Sequence, residues 1–291
     1  MTLAPGRAVP MSRTVRGATL TGIAAIVSWG ALGLLGKLVA DVPPLVVMAV
    51  CFLLAGAGGV VLCRVQGKAP AFSRPVLVSA GFITAYHLIY LTAFAYAPAI
   101  EVTLLNYLWP ALFIIIGNLF FRLGSGARGF AGAGLGFAGV GLLIGPNAAF
   151  ALSPGTVTGY GLAILAAAIW AGYSNIRRTA VGDVIPALTA ICLISGLLCL
   201  AGAALTGALT RGLTGREMLW IGLLAVGPAG GAFFAWDYGI RHGNAALLSV
   251  LSFAAPLLST AMLIAAGFAA PSWPILMAAG LIAAGGWVAR R

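Results

Sequence analysis

Acidic side chains are nearly missing from this chain. Its 291 residues include five Asp and Glu, and Asp, Glu, Lys and Arg together make up only 7%. A soluble domain needs a charged surface over its core, and a chain that is 62% hydrophobic cannot hide its apolar side chains in that way. Paired carboxylates, metal-ligand clusters and an activated nucleophile are absent as motifs, so no enzyme activity, metal or cofactor is expected. The four cysteines, Cys51, Cys63, Cys192 and Cys199, stand inside apolar runs without ligand spacing and read as small core residues. The glycine runs at 132–141 and 227–231 lack the strand and lysine of a phosphate loop, and read as helix packing, with the second also a candidate hinge.

Apolar runs are what the chain has in abundance. Stretches of about 20 residues, the length that crosses a bilayer, predict helices at 17–38, 43–65, 75–97, 99–122, 127–145, 157–178, 184–206, 216–240, 243–267 and 271–289. Turns at Asp41-Val-Pro-Pro44 and Tyr96-Ala-Pro-Ala-Ile-Glu101 separate some of them. Arg7, Arg13 and Arg16 before the first run imitate a signal peptide, but that run is too long for one and reads as a retained membrane helix. A net charge of +11 would suggest nucleic acid in a soluble protein. Here the basic residues stand singly between apolar runs and read as topology signals, so no nucleic-acid partner is expected. With a cytoplasmic N-terminus, one side holds Arg7, Arg13, Arg16, Arg64, Lys68, Arg74, Arg122, Arg128, Arg177, Arg178, Arg241, Arg290 and Arg291, and the other only Lys37, Arg211 and Arg216. That is 13 of the 16 basic residues against 3, and one helix more or fewer would invert every later loop. Ten spans with both termini cytoplasmic, in a bacterial-type inner membrane, follow.

The two halves of the chain echo each other. Trp29 precedes Lys37 by eight residues in the first run, and Trp170 precedes Arg178 by eight in the sixth. Pro110 and Pro256 lie 146 residues apart, as do Gly134 and Gly280, and Gly139 and Gly285. Five spans per half is odd, so the halves must run in opposite orientations. The expected fold is an all-α integral membrane protein of ten transmembrane helices, arranged as two inverted five-helix repeats with a site near the midplane. The expected divisions are an N-terminal tail at 1–16, a first repeat at 17–150 and a second at 151–291.

Polar side chains inside a membrane are expensive, and those at mid-span are functional candidates. On the third run, positions 83, 86, 87, 90 and 94 fall within one ~100° arc, so Tyr86, His87, Tyr90 and Phe94 share a face. One tyrosine there would be ordinary helix packing; three polar aromatic residues point to a pocket. On the fourth run Thr103, Asn106, Tyr107 and Pro110 share an arc, with Trp109 on its flank. Pro110 cannot donate to the carbonyl of Asn106, nor Pro256 to that of Ser252, which predicts exposed acceptors beside Ser249, Ser252 and Phe253, or simple kinks. Trp170, Tyr173 and Ser174 lie on the sixth run, with Trp170 too deep for an interfacial belt; Ser28 and Trp29 are weaker candidates on the first. Trp220, Trp273 and Trp287 stand near helix ends and read as interface anchors. The substrate-binding candidates are therefore Tyr86, His87, Tyr90, Asn106, Tyr107, Trp109, Trp170, Tyr173 and Ser252, with Pro110 and Pro256 as kink or gating residues. Asp41, Glu101, Asp183, Glu217 and Asp237 are all placed near helix ends, which leaves His87 as the ionisable side chain at mid-depth and no Arg or Lys there to hold an anion.

The Trp29 to Lys37 element, the Ala-Pro-Leu257 segment and the closing glycine-rich helix together resemble the drug/metabolite transporter superfamily, in its ten-helix members with two EamA-type repeats. The runs Ala-Tyr86-His-Leu-Ile-Tyr90 and Leu-Asn106-Tyr-Leu-Trp-Pro110 look like the YddG group of aromatic amino acid exporters. The resemblance implies export of aromatic or hydrophobic amino acids and related metabolites by alternating access, with a small-molecule substrate, lipid neighbours and a functional monomer. A multidrug or purine-type carrier uses the same kind of aromatic cage, and a passive channel is the alternative of another class. Small multidrug members of the superfamily carry a carboxylate in their first helix for proton exchange. No acid stands at 17–38 here.

Overall fold

The structure, a computed structural model, describes residues 12–144, 152–210, 212–267 and 271–289. Arg7, the rest of the tail through residue 11, the expected repeat boundary at 150/151, Arg211, Arg290, Arg291 and the Lys37 side chain lie outside these residues.

Every expected span is present. The helices are α1 (Arg13–Gly30), α2 (Leu32–Leu38), α3 (Pro44–Val65), α4 (Arg74–Tyr96), α5 (Ala99–Asn106), α6 (Trp109–Phe120) and α7 (Gly126–Ile144) in the first half. The second half holds α8 (Pro154–Thr179), α9 (Val184–Leu205), α10 (Gly215–Val226), α11 (Gly231–His242), α12 (Ala245–Leu251), α13 (Ala254–Ala265) and α14 (Trp273–Ala289). No strand occurs among the described residues. Among the described residues nine segments are long and apolar enough to cross a membrane, and α14, at 17 residues, is a shorter apolar helix. Starts are set locally. Ser12 caps α1, and Ser153 with Thr156 and Thr214 with Glu217 form capping boxes at α8 and α10, satisfying amides that the first turn leaves without partners.

Four of the ten spans are not single helices. The first breaks at Ala31, the fourth at Tyr107–Leu108, the eighth between Val226 and Gly231, and the ninth at Ser252–Phe253. Pro110 and Pro256, expected to kink continuous helices, instead stand in the first turn of α6 and α13, where a missing N–H leaves no intrahelical bond unmade. At the eighth span, glycine is required by close approach. A Cβ on Gly230 would collide with the Ala225 carbonyl oxygen, and one on Gly231 with that of Val226.

Helices of opposite halves pack in pairs: α3 on α9, α7 on α14, α4 on α8 and α1 on α11. Exchanging the halves turns α4–α8 into α11–α1 and α6–α8 into α13–α1, and leaves the other two pairs in place, as a twofold relation requires. Lipid tails supply no hydrophobic drive between helices, so small residues set how closely these pairs approach. A Cβ on Gly132 would lie 2.7 Å from the Gly285 carbonyl oxygen, and one on Gly139 would lie 3.0 Å from that of Ala278. The two contacts interchange under the 146-residue offset that relates Pro110 to Pro256. Between α3 and α9, Gly56 meets Leu193 and Gly196 meets Leu53. Not every glycine packs: Gly134 and Gly141 meet nothing within 4 Å, contrary to the packing role expected of their run, and neither does Gly280, the repeat partner of Gly134.

The distribution of polarity is that of a multi-pass membrane protein. Leu119, Phe120 and Trp273 are 70%, 75% and 71% exposed, while Ser79, Ser174, Asn175, Ser195 and Ser249 are fully buried. All four cysteines are free and buried.

Candidate functional site

The breaks place indoles at one level. Trp29 stands two residues before the break at Ala31, Trp109 opens α6, Trp170 lies within α8, and Trp236 follows the glycine break in α11. Trp29 is 5.1 Å from Trp236, 5.9 Å from Trp170 and 6.3 Å from Trp109, and Trp109 is 6.0 Å from Trp170 and 5.6 Å from Trp236, between ring centroids. Most of these pairs are edge-to-face, the arrangement favoured by the ring quadrupoles. The Trp29 indole N–H donates to the Pro228 carbonyl at 3.1 Å, inside the eighth-span break, and that of Trp236 donates to Ser174 Oγ at 3.2 Å. The cluster therefore joins spans from both halves through broken backbone.

A second layer of rings extends from it. Trp170 lies 5.2 Å from Tyr86, 5.3 Å from Tyr173 and 5.7 Å from Phe233. Tyr86 in turn contacts His87 at 4.8 Å and stacks on Tyr90 at 5.7 Å, and Phe52 bridges His87 and Phe233. His87 Nδ1 bonds the Ile83 carbonyl at 2.7 Å, one turn back on its own helix. Asn106, the last residue of α5, donates through Nδ2 to the Tyr86 hydroxyl at 3.4 Å, while its Oδ1 is buried with no partner. Tyr107 sits in the turn between α5 and α6 and packs on the same cluster. Trp109, Trp170 and Tyr173 are buried, whereas Tyr86, His87, Tyr90 and Tyr107 are partly open. The arrangement is a closed indole floor with a tyrosine wall, able to stack on a flat or hydrocarbon group and to offer hydroxyl and amide groups to a polar one.

Eight of the nine binding candidates thus fall in one connected group. Ser252 does not. Its hydroxyl donates to the Leu248 carbonyl at 2.8 Å, and its own carbonyl, expected to be exposed by Pro256, accepts from the Ala255 N–H at 3.1 Å. The break closes as a tight turn, and Ala255 supplies the donor that proline lacks. Ser249 acts across the halves instead, donating to the Pro110 carbonyl at 2.6 Å.

Asp237 also departs from expectation. It lies in the interior of α11, 2% exposed, and takes two bonds from Arg177, at 2.8 Å from Nε and 3.1 Å from a terminal nitrogen. Arg241, one turn on, reaches at 3.5 Å the same carboxylate oxygen that accepts from the Arg177 terminal nitrogen. Arg177 and Arg241 were counted along the sequence as loop charges; here Arg177 is buried and Arg241 partly so, because the carboxylate compensates them. Phe52, Phe233 and Trp236 were not legible as site residues. The available signal for the last two was the glycine break, which opens α11 at depth and puts positions 233 and 236 on one face.

Residues 16–145 match the EamA-like transporter family. The "Aromatic amino acid exporter YddG" of Ancylobacter novellus is 38% identical over 96% of this chain and 98% of its own length. The proteins of the same name in Salmonella typhimurium and Escherichia coli are 26% and 27% identical, over 86% and 84% of this chain and 88% and 87% of theirs. A crystal structure 35% identical in sequence superposes with a TM-score of 0.87, covering 94% of this chain and 96% of the other. With a curated relative matched almost end to end, the chain belongs to the EamA-like transporter family.

Proposed function

We propose that the protein exports aromatic and hydrophobic amino acids and related metabolites across a bacterial inner membrane, by alternating access around the indole and tyrosine group. The observation that carries this reading is the group itself, in which Trp29, Trp109, Trp170 and Trp236 from four spans meet beside helix breaks. Rings of that kind cage an aromatic or aliphatic side chain, and the Asn106 amide and Tyr86 hydroxyl receive the polar end of the amino acid. The curated relatives, named as aromatic amino acid exporters, support the same substrate class. The two halves, 17–150 and 151–291, rock against each other about the twofold relation of their helix pairs, with Pro110 and Pro256 opening the segments that move. Both termini lie on the cytoplasmic side, and a single chain surrounded by lipid suffices.

Counterflow in liposomes tests the reading. Vesicles preloaded with phenylalanine should accelerate uptake of labelled phenylalanine, tyrosine, tryptophan and threonine. Transport of lipophilic cations without any of these amino acids would replace the substrate class. Uptake that neither saturates nor responds to preloading would replace the carrier with a channel.

A further inference from the structure

On the basic side of the bundle, roughly 12 Å along α8 from Trp170 at 1.5 Å per residue, lies a cleft of about 330 Å³. Arg178 of α8, Arg241 of α11, Ser125 from the α6–α7 turn and Asn244 from the α11–α12 turn border it. This corner of the molecule is not electrically balanced. Among the described residues, the guanidinium groups of Arg177 and Arg241 share the single carboxylate of Asp237 and Arg178 lies nearby without one, a balance of two positive charges. Asp183, also close to Arg241, is already held by Lys68 at 2.8 Å. Arg178 forms no ion pair among the described residues: a terminal nitrogen donates to the Phe121 carbonyl at 2.6 Å, and its Nε is buried with no partner. A guanidinium fork with an unused N–H, beside a second arginine in a cleft of ligand size, is suited to an oxyanion.

We propose that this cleft is an oxyanion site that takes the carboxylate of the transported amino acid on the basic side, before its side chain reaches the indoles. The inference rests on the proposed function, and it accounts for the carboxylate of an amino acid whose ring would enter a group of tryptophans and tyrosines. Arg178 is the principal ligand, and Arg241 adds field while it holds the Ala180 and Gly182 carbonyls.

Two half-ligands separate the site from the indole group in the purified full chain in detergent. Titration calorimetry would follow 3-phenylpropionate, which carries a carboxylate and no ammonium, and phenethylamine, which carries the reverse. Arg178→Gln should weaken 3-phenylpropionate about tenfold, the order of one charge-assisted bond, and leave phenethylamine unchanged. Arg178→Lys should restore part of the loss, since it keeps the charge without the fork. On the unsubstituted protein, inorganic phosphate should compete with 3-phenylpropionate and not with phenethylamine. Unaltered 3-phenylpropionate binding in Arg178→Gln, equal loss of both ligands, or absence of phosphate competition overturns the site. Loss of stabilisation by phosphatidylglycerol in Arg178→Gln, with 3-phenylpropionate binding intact, reassigns the arginine to a lipid phosphate and overturns it too. Selective loss of 3-phenylpropionate by a protein that moves no amino acid in counterflow keeps the site and removes the proposed function.

Discussion

Tyr107 and Trp170 carry similar chemistry but occupy different positions in the group, and their substitutions should separate. Tyr107 sits partly open in a turn, so Tyr107→Ala should cut phenylalanine counterflow about tenfold, the scale of one ring contact, with the thermal unfolding midpoint unchanged. Unchanged transport in that variant removes Tyr107 from the site. Trp170 is buried among Trp29, Tyr86, Trp109, Tyr173 and Phe233, and Trp170→Ala should lose about 3–5 kcal/mol of stability in addition to transport. The Arg177–Asp237 pair makes a sharper contrast. Removing the carboxylate strands two arginines, so Asp237→Ala should destabilise by about 3–5 kcal/mol, whereas Arg177→Met with Asp237→Leu should recover part of that loss, Arg241 alone remaining without its carboxylate. Denaturation in one detergent, compared across the single and double variants, decides it: equal losses in both would mean the pair contributes through something other than charge compensation.

At the scale of elements, helix approach is governed by which glycines face a neighbour. Gly132 and Gly134 lie on the same helix, two residues apart. A methyl group at 132 meets the Gly285 carbonyl at 2.7 Å, and one at 134 meets nothing within 4 Å. Gly132→Ala should therefore lower the unfolding temperature. Gly134→Ala should hold or raise it, since alanine is favoured over glycine in a helix by about 1 kcal/mol. Identical shifts would show that α7 and α14 do not pack as described. The sequence locates such glycines and does not say which of them pack. It locates prolines equally well, and places the breaks of the fourth and ninth spans within a few residues of Pro110 and Pro256. The fate of the acceptor two residues before Ala254 was hidden, because the Ala255 amide reaches the Ser252 carbonyl only once the turn between α12 and α13 is built. Breaking the span did not by itself leave a polar group for substrate.

Across the whole molecule, the alternation of basic and non-basic turns predicts which loops share a side. With the native cysteines buried, Gln66→Cys and Ala127→Cys should resist a membrane-impermeant thiol reagent in intact cells, and Thr210→Cys should react. Labelling of all three, or of the first two alone, would reverse or dismantle the orientation. The number of spans, the bias of their loops and the kinship of the two halves were determined by the sequence alone. Each depends on the transfer free energy of one segment, on charges within a few residues of its ends, or on an offset along the chain. Which rings meet was decided by the tertiary structure: Trp29 and Trp236 become neighbours because α1 packs on α11, and Phe52 joins His87 because α3 and α4 both pack on α9. Only the tertiary structure could pair Asp237 with Arg177, 60 residues away, because a charge survives in a dry interior through a partner at hydrogen-bond distance, and that distance exists only after the spans have packed.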